Sequence, residues 1–213
     1  MLERPRFQEN SLETFTGWFL LALIAGCVNA GGFLALNRFV THVTGFATLF
    51  GVDVVTQNWR EGLSMLSVPG FFFMGAFLAG YFVDFQIRYG KQPNYTFVLL
   101  LEFFCLLAAA IGGLEGYFGT FGHELIVERD YVLLALLCFS MGIQNGVVTS
   151  SSSGMVRTTH LTGITTDLGL GVIRWFYMFK DGERGTREYK KEIWANGFRF
   201  GTIVSFCIGS ALG

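Results

Sequence analysis

Three histidines occur in the chain, and two of them stand in the same setting. His42 and His160 each occupy the pattern Thr-His-x-Thr-Gly, at Thr41–Gly45 and Thr159–Gly163. An imidazole can donate, accept or carry a proton near neutral pH. The flanking hydroxyls can bond backbone groups that a broken helix leaves free, and the glycine permits the break. Two such breaks facing each other would make a polar pocket, the arrangement of discontinuous helices in repeat transporters. A single motif would read more plainly as packing glue, at about 0.6–2 kcal/mol per interhelical hydrogen bond. Two at matching positions favour the pocket, because ionisable groups inside membranes are usually functional.

The match extends upstream. GCVNAGGFLALNRFVTHVTG runs from Gly26 to Gly45, and GIQNGVVTSSSSGMVRTTHLTG from Gly142 to Gly163. Asn29 pairs with Asn145, at an offset of 116, and His42 with His160, at an offset of 118. Thr48 falls opposite Thr166. We read this as an internal repeat. A buried Asn is costly unless bonded, so Asn29 and Asn145 are either clamps between the first and fifth hydrophobic segments or walls of the pocket.

Other polar groups fall near the motifs. Asp167 is one helical turn beyond Gly163, and Asp53 is two turns beyond Gly45. Glu102 sits inside TFVLLLEFFCLLAAA, where an unpaired charge costs a few kcal/mol. It is a candidate for proton coupling, with a bonded structural carboxyl as the plainer reading. Asp84 reads as an interfacial charge near a helix end. Arg157 is a forked donor that can bind an anion, or a snorkelling anchor. The run Thr149–Gly154 reads as a flexible bend, and His123 as a solvated loop residue. The candidate translocation site is therefore Asn29, Thr41, His42, Thr44, Gly45, Asn145, Arg157, Thr159, His160, Thr162, Gly163, Thr166 and Asp167, with Glu102 and Asp53 as candidate coupling groups.

The elements that must position these residues are hydrophobic. Of 213 residues, 52% are hydrophobic and 15% charged, against about 25% charged in a soluble domain. Mean hydropathy is +0.48. The missing charge would have coated a water-facing surface. Glycine is plentiful, 28 against 3 prolines, as suits close helix packing in a membrane. Seven apolar segments follow: Phe15–Leu36, Phe39–Val55, Leu66–Ile87, Tyr95–Leu114, Tyr131–Val148, Thr158–Phe179 and Gly197–Gly213. Each crossing takes about 20 residues, so no soluble domain remains. The expected fold is an all-α polytopic membrane protein in two sequence-related repeats, with segments two and six discontinuous.

Residues 1–14 read as a cytoplasmic lead, 15–114 as the first repeat, 115–130 as a polar loop, and 131–213 as a second repeat that lacks its last helix. If segments two and six cross fully, the halves are parallel. If they are re-entrant, the halves are inverted. Basic residues place the N-terminus and the stretch 180–199 on the cytoplasmic side under either arrangement. They do not choose between the two: leaving out Arg174 within segment six, full crossing leaves ten Lys/Arg inside and four outside, re-entry eleven and three.

Other function classes find little support. A net charge of −1 suggests no nucleic-acid partner. There is no G-x-S-x-G, H-E-x-x-H or D-x-D, so no catalytic residue, metal or cofactor is expected. Cys27, Cys105, Cys138 and Cys207 lie one per segment and read as small apolar residues. The partners expected are the lipid bilayer and a small solute or ion, with a homodimer attractive for so few helices. The leading reading is a small secondary transporter or permease, and the other is a non-transporting membrane sensor or assembly subunit.

The segments GCVNAGGF, FVTHVTG, GIQNG and VRTTHLTGITTDLG resemble the YoaK family of bacterial membrane proteins, a family of unknown function. The resemblance spans roughly Gly26 to the last residue. It implies a multi-pass protein of the bacterial inner membrane and implies no substrate.

Overall fold

The computed structural model describes residues 12–118, 121–122, 127–152, 154 and 156–213, and the side chains of these apart from 12–14 and 127–129. His123 and the N-terminal lead up to residue 11 lie outside the described residues. Seven helices occur among the described residues. They are α1 (Leu12–Leu36), α2 (Val43–Val55), α3 (Trp59–Ala79, continuing through a π turn at Gly80–Asp84 and a last α turn at Phe85–Arg88), α4 (Tyr95–Leu114), α5 (Val127–Ser151), α6 (Leu161–Lys180) and α7 (Arg187–Leu212).

Four stretches are long and apolar enough to cross a membrane: Phe15–Leu36, Trp59–Arg88, Tyr95–Leu114 and Asp130–Ser151. Their outward faces carry large apolar side chains such as Phe73, Phe77, Phe103 and Phe104, the surface a lipid solvent requires. α2 has 13 residues, or about 20 Å, too short for a hydrocarbon core of about 30 Å.

The segments match the apolar runs most closely where a cap marks the end. α4 starts at Tyr95, where Asn94 Oδ1 accepts from Phe97 N at 3.1 Å. The expected seventh segment begins ten residues too late. Its helix starts at Arg187, because Thr186 Oγ1 accepts from Tyr189 N at 3.2 Å. Arg199 then bonds Glu192 and Asn196, two turns and one turn back, at 3.0 and 2.7 Å. The basic stretch is thus the end of α6, a short turn and the start of α7, and not one loop.

Helix directions follow from the contacts. α1 and α7 run parallel: Phe15 packs on Trp194 and Phe198 near one end, and Gly26 meets Phe206 and Ser210 further on. α3 and α5 also run parallel: Ser67 bonds Tyr131 early, and Gly146 meets Ala76 and Ala79 later. α1 and α5 are antiparallel. Trp18 Nε1 donates to Ser151 Oγ at 3.2 Å, and Gly122 N to Ala35 O at 3.2 Å.

The two parallel pairs share one kind of contact. A Cβ on Gly26 would overlap the carbonyl oxygen of Phe206, and one on Gly209 that of Leu23. In the other pair, a Cβ on Gly142 would overlap the carbonyl of Phe72, and one on Gly75 that of Phe139. Backbone meets backbone, as small residues permit between membrane helices.

Segments two and six turn back inside the bundle. After α1 ends at Leu36, Thr41 is bonded to Asn29, seven residues or about 10 Å back along the helix. α2 then runs antiparallel to α3, with Asp53 and Phe50 against Gly62. α3 is parallel to α5, which opposes α1, so α2 ends where α1 ended. By the same steps Thr158 returns to Gln144 of α5. α6 packs antiparallel on α7, with Gly171 against Glu192, Asn196 and Arg199, and runs back to the end where α5 finished. Both segments turn back within the bundle and run out toward the end from which the chain entered.

Candidate functional site

His42 and His160 each stand at the start of a re-entrant helix. They are the residues preceding α2 and α6, with non-helical backbone at φ −108°, ψ 81° and φ −112°, ψ 66°. Helix geometry is therefore interrupted before the Thr-His pairs. The break expected near each glycine ends at the histidine three residues before it, since Gly45 and Gly163 both lie in the first helical turn. Gly45 N already bonds His42 O at 3.1 Å, and Ile164 N bonds His160 O at 3.2 Å. Gly163 serves a different end: a Cβ there would lie 2.5 Å from the His160 Nδ1, so glycine leaves the imidazole its place. Gly45 faces open space.

The two motifs meet on one cavity of about 400 Å³. Its walls are Thr41, His42, Val43, Thr44, Phe72, Asn145, Thr149, Arg157, Thr159, His160 and Thr162. Eight of the thirteen residues singled out for translocation are among them. Asn29, Gly45, Gly163, Thr166 and Asp167 are not. Thr166 and Asp167 are exposed on α6, and the Thr166 hydroxyl donates back to Thr162 O at 3.0 Å. Asp53 sits beside Gly62 at the α2–α3 contact. Glu102 is 4% exposed on α4 and its Oε2 has no hydrogen-bond partner, but it does not reach the cavity. Asp84 is exposed in the π turn of α3.

The two asparagines part company. Asn29 Oδ1 accepts from both the Thr41 hydroxyl, at 2.8 Å, and the Thr41 amide, at 3.2 Å. It pins the re-entrant stretch of its own half, not a partner segment. Because the Thr41 hydroxyl proton goes to Asn29, its 3.0 Å contact with His42 Nδ1 needs a proton on that nitrogen. The other ring nitrogen is then left for the cavity. Asn145 lines the cavity, and its buried Oδ1 has no partner. The pinning in the second half falls to Gln144, whose Nε2 donates to Thr158 Oγ1 at 3.1 Å and to Leu21 O at 2.8 Å. The cause is the loop length. Thirteen residues separate Asn145 from Thr159, against eleven in the first half, and the longer stretch changes which side chain reaches back.

Three wall residues carried no advance signal as site residues. Phe72 reaches the cavity because α3 is held backbone to backbone against Gly142. Val43 follows His42 in the chain. Thr149 belongs to the last turns of α5, which run helical through Ser151, so the bend expected over Thr149–Gly154 starts later than its sequence suggested. Its Oγ1 is buried without a partner.

Apolar helices of spanning length, enclosing two polar segments that re-enter, define an all-α polytopic membrane protein. The chain belongs to the family described as "Protein of unknown function (DUF1275)", which it matches over residues 17–213. No curated protein and no solved structure matches it.

Proposed function

We propose that this chain is a small secondary transporter or permease, and that the cavity between the two histidine motifs is its translocation site. One observation carries the reading. Two re-entrant helices enter from opposite ends of the bundle, and their Thr-His-x-Thr starts line a single cavity. Repeat transporters hold solute between broken helices in this way. The equivalent glycine contacts support an origin in two inverted halves. Gly26 and Gly142 are 116 residues apart, as are their neighbours Leu23 and Phe139, while Gly75 and Gly209 match Phe72 and Phe206 at 134.

Stopped-flow measurements on proteoliposomes test the reading, using formate, nitrate, sulfate, urea and glycerol as solutes, with potassium and valinomycin to balance charge. At least one solute is expected to enter faster than through protein-free vesicles. His42→Ala and His160→Ala should each lower that rate about tenfold, the loss of one hydrogen bond to a charged or strongly polar group. The double change should cost less than the two singles combined, because both residues serve one site. Rates equal to bare lipid for every solute, or unchanged in both variants, would overturn the proposal.

The basic residues support an orientation with the N-terminus and the α6–α7 turn in the cytoplasm. Leaving out Arg174 within α6, re-entry puts eleven Lys/Arg on that side and three on the other. In a cysteine-free background, Glu183→Cys should resist an impermeant thiol reagent in intact cells, while Tyr117→Cys, on an exposed turn at the opposite end, should react. Reaction at 183, or protection at both positions, refutes the orientation. Glu102 lies outside the cavity wall, so any coupling through it would act across the α4–α5 contact.

A further inference from the structure

We infer that the cavity takes a small hydrophilic anion, a carboxylate or an inorganic oxyanion; this rests on the transport reading and names its substrate class. The argument begins with charge. Among the residues lining the cavity, Arg157 is the one whose side chain is permanently ionised, and no aspartate or glutamate stands in the wall. Its guanidinium is a planar fork suited to a pair of oxygens.

Backbone electrostatics point the same way. α2 and α6, of 13 and 20 residues, both direct their N-terminal ends at the cavity. Neither start has a side-chain cap, and neither carries an acidic residue in its first turn. The partial positive charge of each helix end is thus left without a side-chain counterpart. Most helices end this exposure with a Ser, Thr, Asp or Asn cap; here a histidine holds that position twice.

Two further wall groups can donate, while the His42 ring nitrogen left for the cavity accepts in the neutral imidazole and donates only when the ring is protonated. Thr149 Oγ1 and Asn145 Oδ1 are buried at the cavity without partners. The threonine hydroxyl has a proton to give, and the carboxamide of Asn145 offers its N–H₂ when turned over. The charge comes from one half alone. The residue matching Arg157 at the 118 offset is Phe39, whose ring lies edge-on to His42 at 5.5 Å. A cavity of about 400 Å³ is at the small end of ligand sites, which suits a solute of few atoms.

The test compares reagents of opposite charge inside the cavity. Thr162→Cys is made in a background where Cys27, Cys105, Cys138 and Cys207 are alanine, and the protein is reconstituted in phosphatidylcholine vesicles. It is reacted with anionic sulfonatoethyl and with cationic trimethylammonioethyl methanethiosulfonate. Rates are divided by those for 2-mercaptoethanol in solution. The anionic reagent should be favoured about tenfold, as a focused positive potential implies, and Arg157→Gln in the same background should remove most of that preference. Thr44→Cys, on the first motif, repeats the measurement if the first variant fails to fold. Preference for the cationic reagent, or a preference that Arg157→Gln leaves intact, overturns the anion assignment and leaves the transport reading standing. Failure of both reagents at both folded positions means that water does not reach the cavity, which overturns the transport reading itself.

Discussion

Gly142→Ala is expected to destabilise the protein by about 3 kcal/mol, near the upper range for overpacking a core, because the obstacle is backbone and cannot rotate away. The added methyl would collide with the carbonyl oxygen and carbon of Phe72. α3 and α5 must then move apart along their whole contact, including the reciprocal approach of Gly75 to Phe139. For a chain of this length the melting temperature should fall by roughly 6–12 °C, measured in detergent by loss of the monodisperse peak on heating. Gly169→Ala supplies the contrast. Nothing lies within 4 Å of a Cβ there, so the better helix propensity of alanine should leave stability equal or raised by up to about 1 kcal/mol. Equal melting of the two variants would mean that the close approach of α3 and α5 does not hold the bundle. Because Phe72 also lines the cavity, Gly142→Ala should lower solute flux as well.

The second large effect separates the two asparagines. Asn29→Leu removes the acceptor shared by the Thr41 amide and hydroxyl, both buried. Each orphaned group costs about 1–3 kcal/mol, so the variant should lose about 2–6 kcal/mol and, with it, the fixed position of His42. Asn29→Asp keeps an acceptor and should recover part of the loss. Asn145→Leu should behave in the opposite way. Its Oδ1 is already buried without a partner, and replacing such a group with an apolar one is close to neutral or stabilising. Flux should nevertheless fall, since the residue is part of the cavity wall. Thermal melting and vesicle flux on the same preparations read both outcomes. Equal loss of stability at the two positions would show that the clamp at Asn29 is not what anchors the re-entrant stretch.

Much of this was legible from residue order. The apolar runs located all seven helices, and α4 to the residue, because a membrane helix needs about 20 apolar residues and the chain marks its ends with Asn and Gly. The doubled Thr-His-x-Thr-Gly pattern identified six cavity residues, and the polar Asn145 and Arg157 near it two more, since polar groups in hydrocarbon stand out against their background. The early start of α7 was less visible. REYKKEIWANGF is too charged to register as a membrane segment, yet it is a good amphipathic helix once Thr186 caps it.

What residue order determined, by itself, was the solvent and the inventory: a chain too apolar for water, with seven helices among its described residues and one polar motif written twice. Hydropathy is additive along the sequence, so it can be read there. Tertiary structure alone decided that segments two and six re-enter, because that turns on which helices run parallel, and full crossing had an equally acceptable charge balance. It also decided that Asn29 clamps while Asn145 faces the cavity, and that Phe72 and Thr149 join the wall while Asp167 leaves it. Those outcomes depend on two extra residues in one loop and on glycines far apart in the chain bringing backbones into contact. Such contacts are properties of pairs of helices, and neither member of a pair carries them alone.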